Sequence, residues 1–117
     1  MCSSDLLADC VNDTIADIAA NGLVAPIVGH VGDGNFHVLP LTMPDDTAMQ
    51  DKISAFSARL TERALAMGGT CTGEHGIGQG KRHYLRDEMG EAVDMMQAIK
   101  TTFDPHGILN PGKLFDH

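Results

Sequence analysis

The sequence predicts an α+β fold in which helices pack on one face of an antiparallel sheet. Apolar residues recur at helical spacing in several segments. Two short apolar runs are joined by a turn rich in glycine, aspartate and asparagine, which is typical of a β-hairpin. The length of 117 residues suits one domain of ordinary size, so we expect a single domain over residues 1–117.

A first helix is predicted over residues 5–21, where four apolar side chains recur at helical spacing. These side chains are Leu7, Val11, Ile15 and Ile18. Ser3 or Ser4 can cap the start of this helix, and Gly22 can end it. We expect the helix to lie on the sheet with its apolar stripe inward.

The hairpin is predicted from apolar runs at residues 24–28 and 38–41, with residues 32–35 as its loop. In that register His30 lies opposite His37, with Cβ atoms about 5 Å apart. Two imidazoles at this separation can share a divalent metal ion, or they form no more than a cross-strand contact. A slip of one residue would send one ring to the other face.

A second helix is predicted from residue 44 to about residue 67, and residues 70–72 are expected to form a short edge strand. The apolar stripe of the second helix is Met49, Ile53, Phe56, Leu60, Ala64 and Met67. A basic helical patch follows at residues 80–85, then a helix over residues 91–103. The apolar side of that last helix is Val93, Met96, Ile99 and Phe103. Residues 108–115 carry several apolar groups, so we expect this tail to be docked.

Composition excludes several classes of protein. A formal net charge of -8 argues against binding to nucleic acid or to an anionic membrane surface, because both need clustered Lys and Arg. No apolar run approaches the roughly 20 residues that span a bilayer, and no signal-peptide pattern opens the chain. We therefore expect a cytoplasmic location, or an organelle lumen if a targeting sequence has been lost. Cys2, Cys10 and Cys71 form no paired motif and are interpreted as reduced thiols.

A second chemistry-bearing segment holds Glu74 and His75 between Gly73 and Gly76. The glycines remove side-chain bulk and allow positive φ, so both polar side chains can reach one pocket. Two hairpin imidazoles and the Glu74 carboxylate would leave an open metal coordination position, with His75 left as a general base.

The other polar residues near these motifs have simpler interpretations. Asp33 and Asn35 are interpreted as turn formers, with Asp33 a possible acceptor for a ligating imidazole. Lys81 and Arg82 are either solvated or steer an anionic substrate.

Three motifs resemble the C-terminal part of FAD-linked oxidases. They are Gly-His-Val-Gly-Asp-Gly-Asn-Phe-His at residues 29–37, Gly-Gly-Thr-Cys-Thr-Gly-Glu-His-Gly-Ile-Gly at residues 68–78 and Phe-Asp-Pro-His-Gly-Ile-Leu-Asn-Pro-Gly-Lys at residues 103–113. The family includes D-lactate dehydrogenases (cytochrome), the glycolate oxidase FAD subunit and D-2-hydroxyglutarate dehydrogenase. The motifs look closest to the D-lactate dehydrogenases, and the resemblance implies a ferredoxin-like substrate domain.

The resemblance also implies roles for individual residues. His30, His37 and Glu74 would bind zinc or manganese, and His75 would take the hydroxyl proton of a D-2-hydroxy acid while its α-hydride goes to FAD. Asn110 would be a cofactor-binding residue in the closing segment. Leu39 departs from relatives that have Asn at this position, which favours a small or aliphatic substrate such as lactate.

The FAD-binding domain of such enzymes is missing from these 117 residues. We therefore expect a fragment, or a subunit that needs a separate FAD-binding chain, and no turnover by this chain alone. Two alternatives are a non-catalytic fragment that binds metal or self-associates into a homo-oligomer, and a metal hydrolase that uses the same open site.

Overall fold

Four helices and one antiparallel pair of strands make up the regular structure of residues 6–115, the part of the chain described by the computed structural model. The elements in chain order are α1 (Leu7–Ala20), β1 (Ile27–His30), β2 (Asn35–Val38), α2 (Thr47–Ala66), α3 (Arg82–Met89) and α4 (Ala92–Phe103). The predicted α+β class and its antiparallel sheet are confirmed. The expected caps Ser3 and Ser4, and Cys2, lie outside the described residues.

The chain divides into two compact units, Met1–Gly73 and Glu74–His117. The first unit contains α1, the hairpin and α2, and the second contains α3, α4 and the loops around them. The single-domain organisation expected from the length stays a prediction.

The buried face of helix α1 matches the predicted stripe only in part, since Leu7 is buried but Ile15 is not. Its buried side chains are Leu7, Cys10 and Thr14, whereas Ile15 is 52% exposed. Thr14 can occupy the buried face because its hydroxyl donates to the Cys10 carbonyl oxygen (2.6 Å) and accepts from Arg63 Nη1 (3.1 Å). The expectation that Ile15 belongs to the core is therefore wrong, since Cys10 and the hydrogen-bonded Thr14 occupy the buried face with Leu7.

An ion-pair network joins α1 to α2. Arg59 donates to both carboxylate oxygens of Asp17, at 2.7 and 2.9 Å, and Arg63 Nη2 donates to Asp17 at 3.2 Å. The Asp17 side chain is only 8% exposed. These hydrogen bonds, with Arg59 as the larger contributor, hold the pKa of Asp17 below its ordinary value despite the opposing effect of burial.

Helix α2 begins three residues after the predicted start at residue 44 and ends at Ala66, close to the predicted end. Asp46 caps the helix by accepting a hydrogen bond from the Met49 backbone N–H at 2.9 Å. Met67 is the C-terminal cap, and Gly68 follows in the left-handed region with φ +75°. Phe56 from the predicted stripe is fully buried.

The hairpin register differs from the expected one by two residues. His30 pairs with Asn35, Gly29 with Phe36 and Val28 with His37. A single 3₁₀ turn over Val31–Asp33 makes the connection, closed by the Gly34 backbone N–H on the Val31 carbonyl oxygen (3.1 Å). The prediction that His30 lies directly opposite His37 is wrong, because this turn starts one residue earlier and ends one residue earlier than the predicted loop.

The antiparallel ladder continues beyond the two strands. Leu39 donates to the Pro26 carbonyl oxygen and Leu41 donates to that of Val24, each at 2.9 Å. The predicted apolar runs therefore do pair with each other, in the register of β1 and β2.

The expected edge strand at residues 70–72 is wrong, since this segment is irregular. The Thr70 hydroxyl accepts from the Thr72 backbone N–H (3.3 Å) and donates to the Thr72 carbonyl oxygen (3.1 Å). Such a local side-chain turn competes with an extended strand for the same backbone groups.

The second unit has a small core around Leu85 on α3 and Val93 on α4. Ile99 and Phe103 of the predicted α4 stripe are exposed, so that stripe is wrong in its C-terminal half. The buried carboxylate of Asp104 ends α4, accepting from the backbone N–H groups of Ile108 and Leu109 (3.0 Å each) and from Lys100. Two further hydrogen bonds hold the tail. The Leu114 backbone N–H donates to the Gly78 carbonyl oxygen, and the Arg82 side chain donates to the Gly112 carbonyl oxygen.

Candidate metal centre

The two hairpin histidines lie on the same face of the ribbon, diagonally across the strands. Side chains on a strand alternate between faces, so a register shift of two residues leaves both rings on the face predicted for them. The ring centroids of His30 and His37 are 6.3 Å apart, and the rings are nearly perpendicular at 85°. The hairpin therefore presents two imidazoles towards the same space, although they are not directly opposed.

Glu74 completes a group of three potential metal ligands. One ring nitrogen from each of His30 and His37 and one carboxylate oxygen of Glu74 all lie within 4.8 Å of one another. Glu74 directly follows Gly73, which is the last residue of the first unit. Two imidazoles and a carboxylate are ligands that suit zinc and are also compatible with manganese. The donor set therefore fits the divalent ion implied by the sequence.

His75 follows directly in the chain, and its ring lies beside the Glu74 carboxylate. Its Nε2 is 3.7 Å from Glu74 Oε1, which is longer than a hydrogen bond. The His75 side chain is 79% exposed and is not one of the three clustered ligands. The His75 side chain is therefore largely accessible to solvent.

Asp33 lies near the site without a direct hydrogen bond. Its Oδ2 is 4.0 Å from His30 Nδ1, and both side chains are largely exposed. Asp33 is thus near the His30 imidazole, but at this distance it does not accept a hydrogen bond from it.

Asn35 is the residue near the site that the sequence did not single out. It is interpreted from sequence as a turn former, but it begins β2 directly opposite His30 and is only 7% exposed. Its spacing of two residues from His37 is the signal that places it on the histidine face, once the turn is known to end at Gly34.

Asn110 belongs to the second unit, in the loop after α4. It adopts a positive φ of +46° and its carbonyl oxygen accepts from the Lys113 backbone N–H at 3.2 Å. It lines a cavity of about 310 Å³ together with Lys100, His106, Lys113 and Phe115. Asn110 thus adjoins a cavity large enough for a small ligand group.

Across residues 6–115, none of the helices combines the length and the apolar character needed to cross a membrane.

The histidine hairpin and the Gly-Glu-His-Gly segment both lie within a stretch that matches one protein family. The chain belongs to the family of FAD linked oxidases, C-terminal domain, which it matches over residues 2–114.

Individual relatives narrow the comparison. A protein named probable D-lactate dehydrogenase, mitochondrial, from Danio rerio is 49% identical over 111 residues, which cover 94% of this chain and 22% of the relative. D-lactate dehydrogenase [cytochrome] 1, mitochondrial, from Saccharomyces cerevisiae is 47% identical over 107 residues, covering 90% of this chain and 18% of the relative. Glycolate oxidase subunit GlcD from Bacillus subtilis is 42% identical over 103 residues, covering 86% of this chain and 22% of the relative.

The chain therefore spans about a fifth of the length of the relatives it matches. The family assignment expected from the three sequence motifs is confirmed.

Proposed function

We propose that this chain is the metal-bearing C-terminal part of a flavin-dependent D-2-hydroxy-acid dehydrogenase, with D-lactate or a similar small 2-hydroxy acid as substrate. The family match and the names of the relatives support the class of reaction. The observation that carries the proposal for this chain is the spacing of His30, His37 and Glu74, whose ligand atoms lie within 4.8 Å of one another.

His30, His37 and Glu74 would hold a zinc or manganese ion. Such an ion supplies a Lewis acid that favours loss of the proton from a substrate hydroxyl. Three protein ligands leave a coordination position for substrate, in contrast to a closed structural site with four. The exposure of the His30 side chain, at 61%, is compatible with substrate access.

His75 is proposed as the general base. Oxidation of a 2-hydroxy acid replaces the C–OH group by C=O, so the hydroxyl proton and the α-hydrogen must both leave. His75 takes the proton at a ring nitrogen, a role suited to imidazole near neutral pH. FAD, when it is bound by the remainder of the enzyme, accepts the α-hydrogen with two electrons as hydride.

The FAD-binding part would come from another stretch of the enzyme or from a separate subunit, and Asn110 is proposed to contact the cofactor. An exposed apolar surface supports the need for such a partner. We define the hairpin apolar face as the four exposed side chains on the histidine face, namely Val24, Val28, Leu39 and Leu41. Each is at least half exposed, so covering them would remove apolar area from water.

Leu39 supports a small aliphatic substrate. It lies two residues beyond His37 on the same face, and it offers the proposed site an apolar side chain. A second carboxylate on the substrate would find no polar partner in this side chain.

The function is tested by combining the chain with the FAD-binding portion of one of its relatives. We expect D-lactate-dependent dye reduction from the mixture, loss of activity on chelation, and recovery with zinc or manganese. The chain alone is expected to show neither flavin absorbance nor turnover. An FAD-loaded mixture that reduces no dye with D-lactate or other 2-hydroxy acids would contradict the proposal.

A second candidate is a non-catalytic fragment that binds metal and self-associates. The hairpin apolar face favours it, because a second copy of the chain can cover this surface as well as an FAD-binding domain can. Sedimentation of the purified chain distinguishes the two, since a stable homodimer that excludes the FAD-binding portion is expected only for the second candidate. The cytoplasmic location remains a prediction under either candidate.

A further inference from the structure

Asn35 is a buried amide on the histidine face of the hairpin. It is 7% exposed and stands directly opposite His30, with His37 two residues further along the same strand. Burying an amide side chain costs free energy, because its polar atoms lose their hydrogen bonds to water.

Its tip packs against the backbone of Gly73. A Cβ atom built on Gly73 would lie 2.6 Å from Asn35 Oδ1 and 3.1 Å from both Cγ and Nδ2. A Cβ atom at 2.6 Å is closer than real Cβ contacts allow, so a side chain at residue 73 would force the Asn35 amide to shift. The φ of Gly73 is not in the left-handed region. Gly73 therefore serves close approach, as the sequence predicts, but not the positive φ that is also expected of it.

This contact fixes the start of the ligand segment. Consecutive Cα atoms are about 3.8 Å apart across a trans peptide, so the position of Gly73 limits where Glu74 can begin. Asn35 thus connects the two sources of ligands, since it belongs to the histidine hairpin and touches the residue that precedes the carboxylate. Both partners, Asn35 and Gly73, lie within the first unit.

We propose that Asn35 is a positioning residue that sets the Glu74 carboxylate beside His30 and His37 through its contact with Gly73. The proposal rests on the metal site described under the proposed function. Asn35 itself is not a ligand, and it acts only on where the third ligand begins. Partners that orient metal ligands in this way typically change metal affinity by roughly 10- to 100-fold when they are removed.

The test is a double-mutant cycle on zinc affinity, measured by titration of the full 117-residue chain with Zn²⁺ alone. Glu74→Gln is expected to weaken zinc binding in the wild-type background. In the Asn35→Ala background, zinc binding starts roughly tenfold weaker, and adding Glu74→Gln has little further effect because the carboxylate is already displaced. A merely structural role of Asn35 would leave the effect of Glu74→Gln unchanged.

Gly73→Ala tests the same contact from the other side without replacing Asn35. It is expected to weaken zinc binding by roughly tenfold as well, while adding Asn35→Ala to Gly73→Ala costs little more. Gly80→Ala is the matched control, because a Cβ on Gly80 meets nothing within 4 Å and its φ is not in the left-handed region. We expect it to bind zinc like the wild type.

The outcomes separate the two levels of the proposal. If the wild-type chain binds zinc and Asn35→Ala binds it equally well, or if Glu74→Gln costs as much in both backgrounds, Asn35 is not a positioning residue and the metal site stands. If the wild-type chain binds no zinc, the metal site fails and the role of Asn35 fails with it.

Discussion

His30 and His37 share one face of the hairpin with their ring centroids 6.3 Å apart, although neither is the other's cross-strand partner. Diagonal neighbours across an antiparallel pair are within reach of long side chains. The 3₁₀ turn at Val31–Asp33 therefore changes the strand register from the predicted one but leaves both imidazoles on the same face.

Removing one imidazole should abolish most of the metal affinity. We expect His37→Ala to weaken zinc or cobalt binding by at least about 100-fold, because two ligands hold a divalent ion far less tightly than three. Titration followed by the absorbance of bound cobalt measures this directly. His106→Ala is the control, since His106 is outside the three-ligand group and its loss should leave the affinity unchanged. Equal affinities for the two variants would place the ion elsewhere.

The ion-pair network between α1 and α2 should contribute measurably to stability. Asp17→Asn removes the charge that accepts from Arg59 and Arg63, and we expect a loss of about 2 kcal/mol in the free energy of unfolding. Urea unfolding followed by circular dichroism provides the measurement.

The matched control for Asp17→Asn is Asp94→Asn. This variant breaks the exposed ion pair between Asp94 and Arg86, which should matter little because solvent screens exposed pairs. Comparable losses in both variants would show that burial of Asp17 does not strengthen its network.

Stability should fall in acid in a manner traceable to Asp17. Its pKa is lowered in the folded protein, mainly by the hydrogen bond from Arg59, so the unfolded chain binds the proton more readily. The stabilisation is present above the ordinary range of a carboxyl group and is lost as the pH falls from about 5 through the lowered pKa.

The measurement is the urea midpoint across this range of pH, compared between the wild type and Asp17→Asn. The variant should show a shallower decline, and some decline should remain because Lys100 also lowers the pKa of Asp104. Parallel curves for the two proteins would contradict the assignment.

Asp104 should order the loop that follows α4. Its carboxylate accepts from the backbone N–H groups of Ile108 and Leu109 and also binds Lys100. Asp104→Ala should therefore increase hydrogen exchange at those two amides, while the helical amides of α2 keep their protection. Asp94→Ala, which removes an exposed carboxylate in the same unit, is the control. Unchanged exchange at Ile108 and Leu109 would show that other contacts hold the loop.

The sequence predicts helix ends and the class of fold well, because these depend on local signals. Helix α2 ends at Ala66, close to the predicted residue 67, and α4 spans Ala92–Phe103 where residues 91–103 are predicted. The buried face of α1 is predicted only in part, because Leu7 is buried as expected while Thr14, and not Ile15, lies with it and accepts a hydrogen bond from Arg63, 49 residues away. Ile99 and Phe103 have the spacing of a core stripe, yet no neighbouring element in the described chain buries them.

In the candidate site, too, features set by local sequence patterns are predicted and features set by contacts in the folded chain are not. The shared face of His30 and His37 follows from the alternation of side chains along a strand and is predicted from sequence. That these two histidines and Glu74 bind a metal stays a prediction. The register is not found, because it depends on where a short 3₁₀ turn begins. The role of Asn35 is hidden for the same reason, since its contact with Gly73 exists only in the folded chain.

The most direct test of the account is X-ray absorption at the zinc edge, recorded on the wild-type chain loaded with one equivalent of zinc and on Glu74→Gln. We predict two imidazole nitrogens and at least one carboxylate oxygen in the wild type at roughly 2 Å, with the carboxylate lost in the variant. A sulfur ligand, or identical spectra for the two proteins, would contradict a metal centre built from His30, His37 and Glu74.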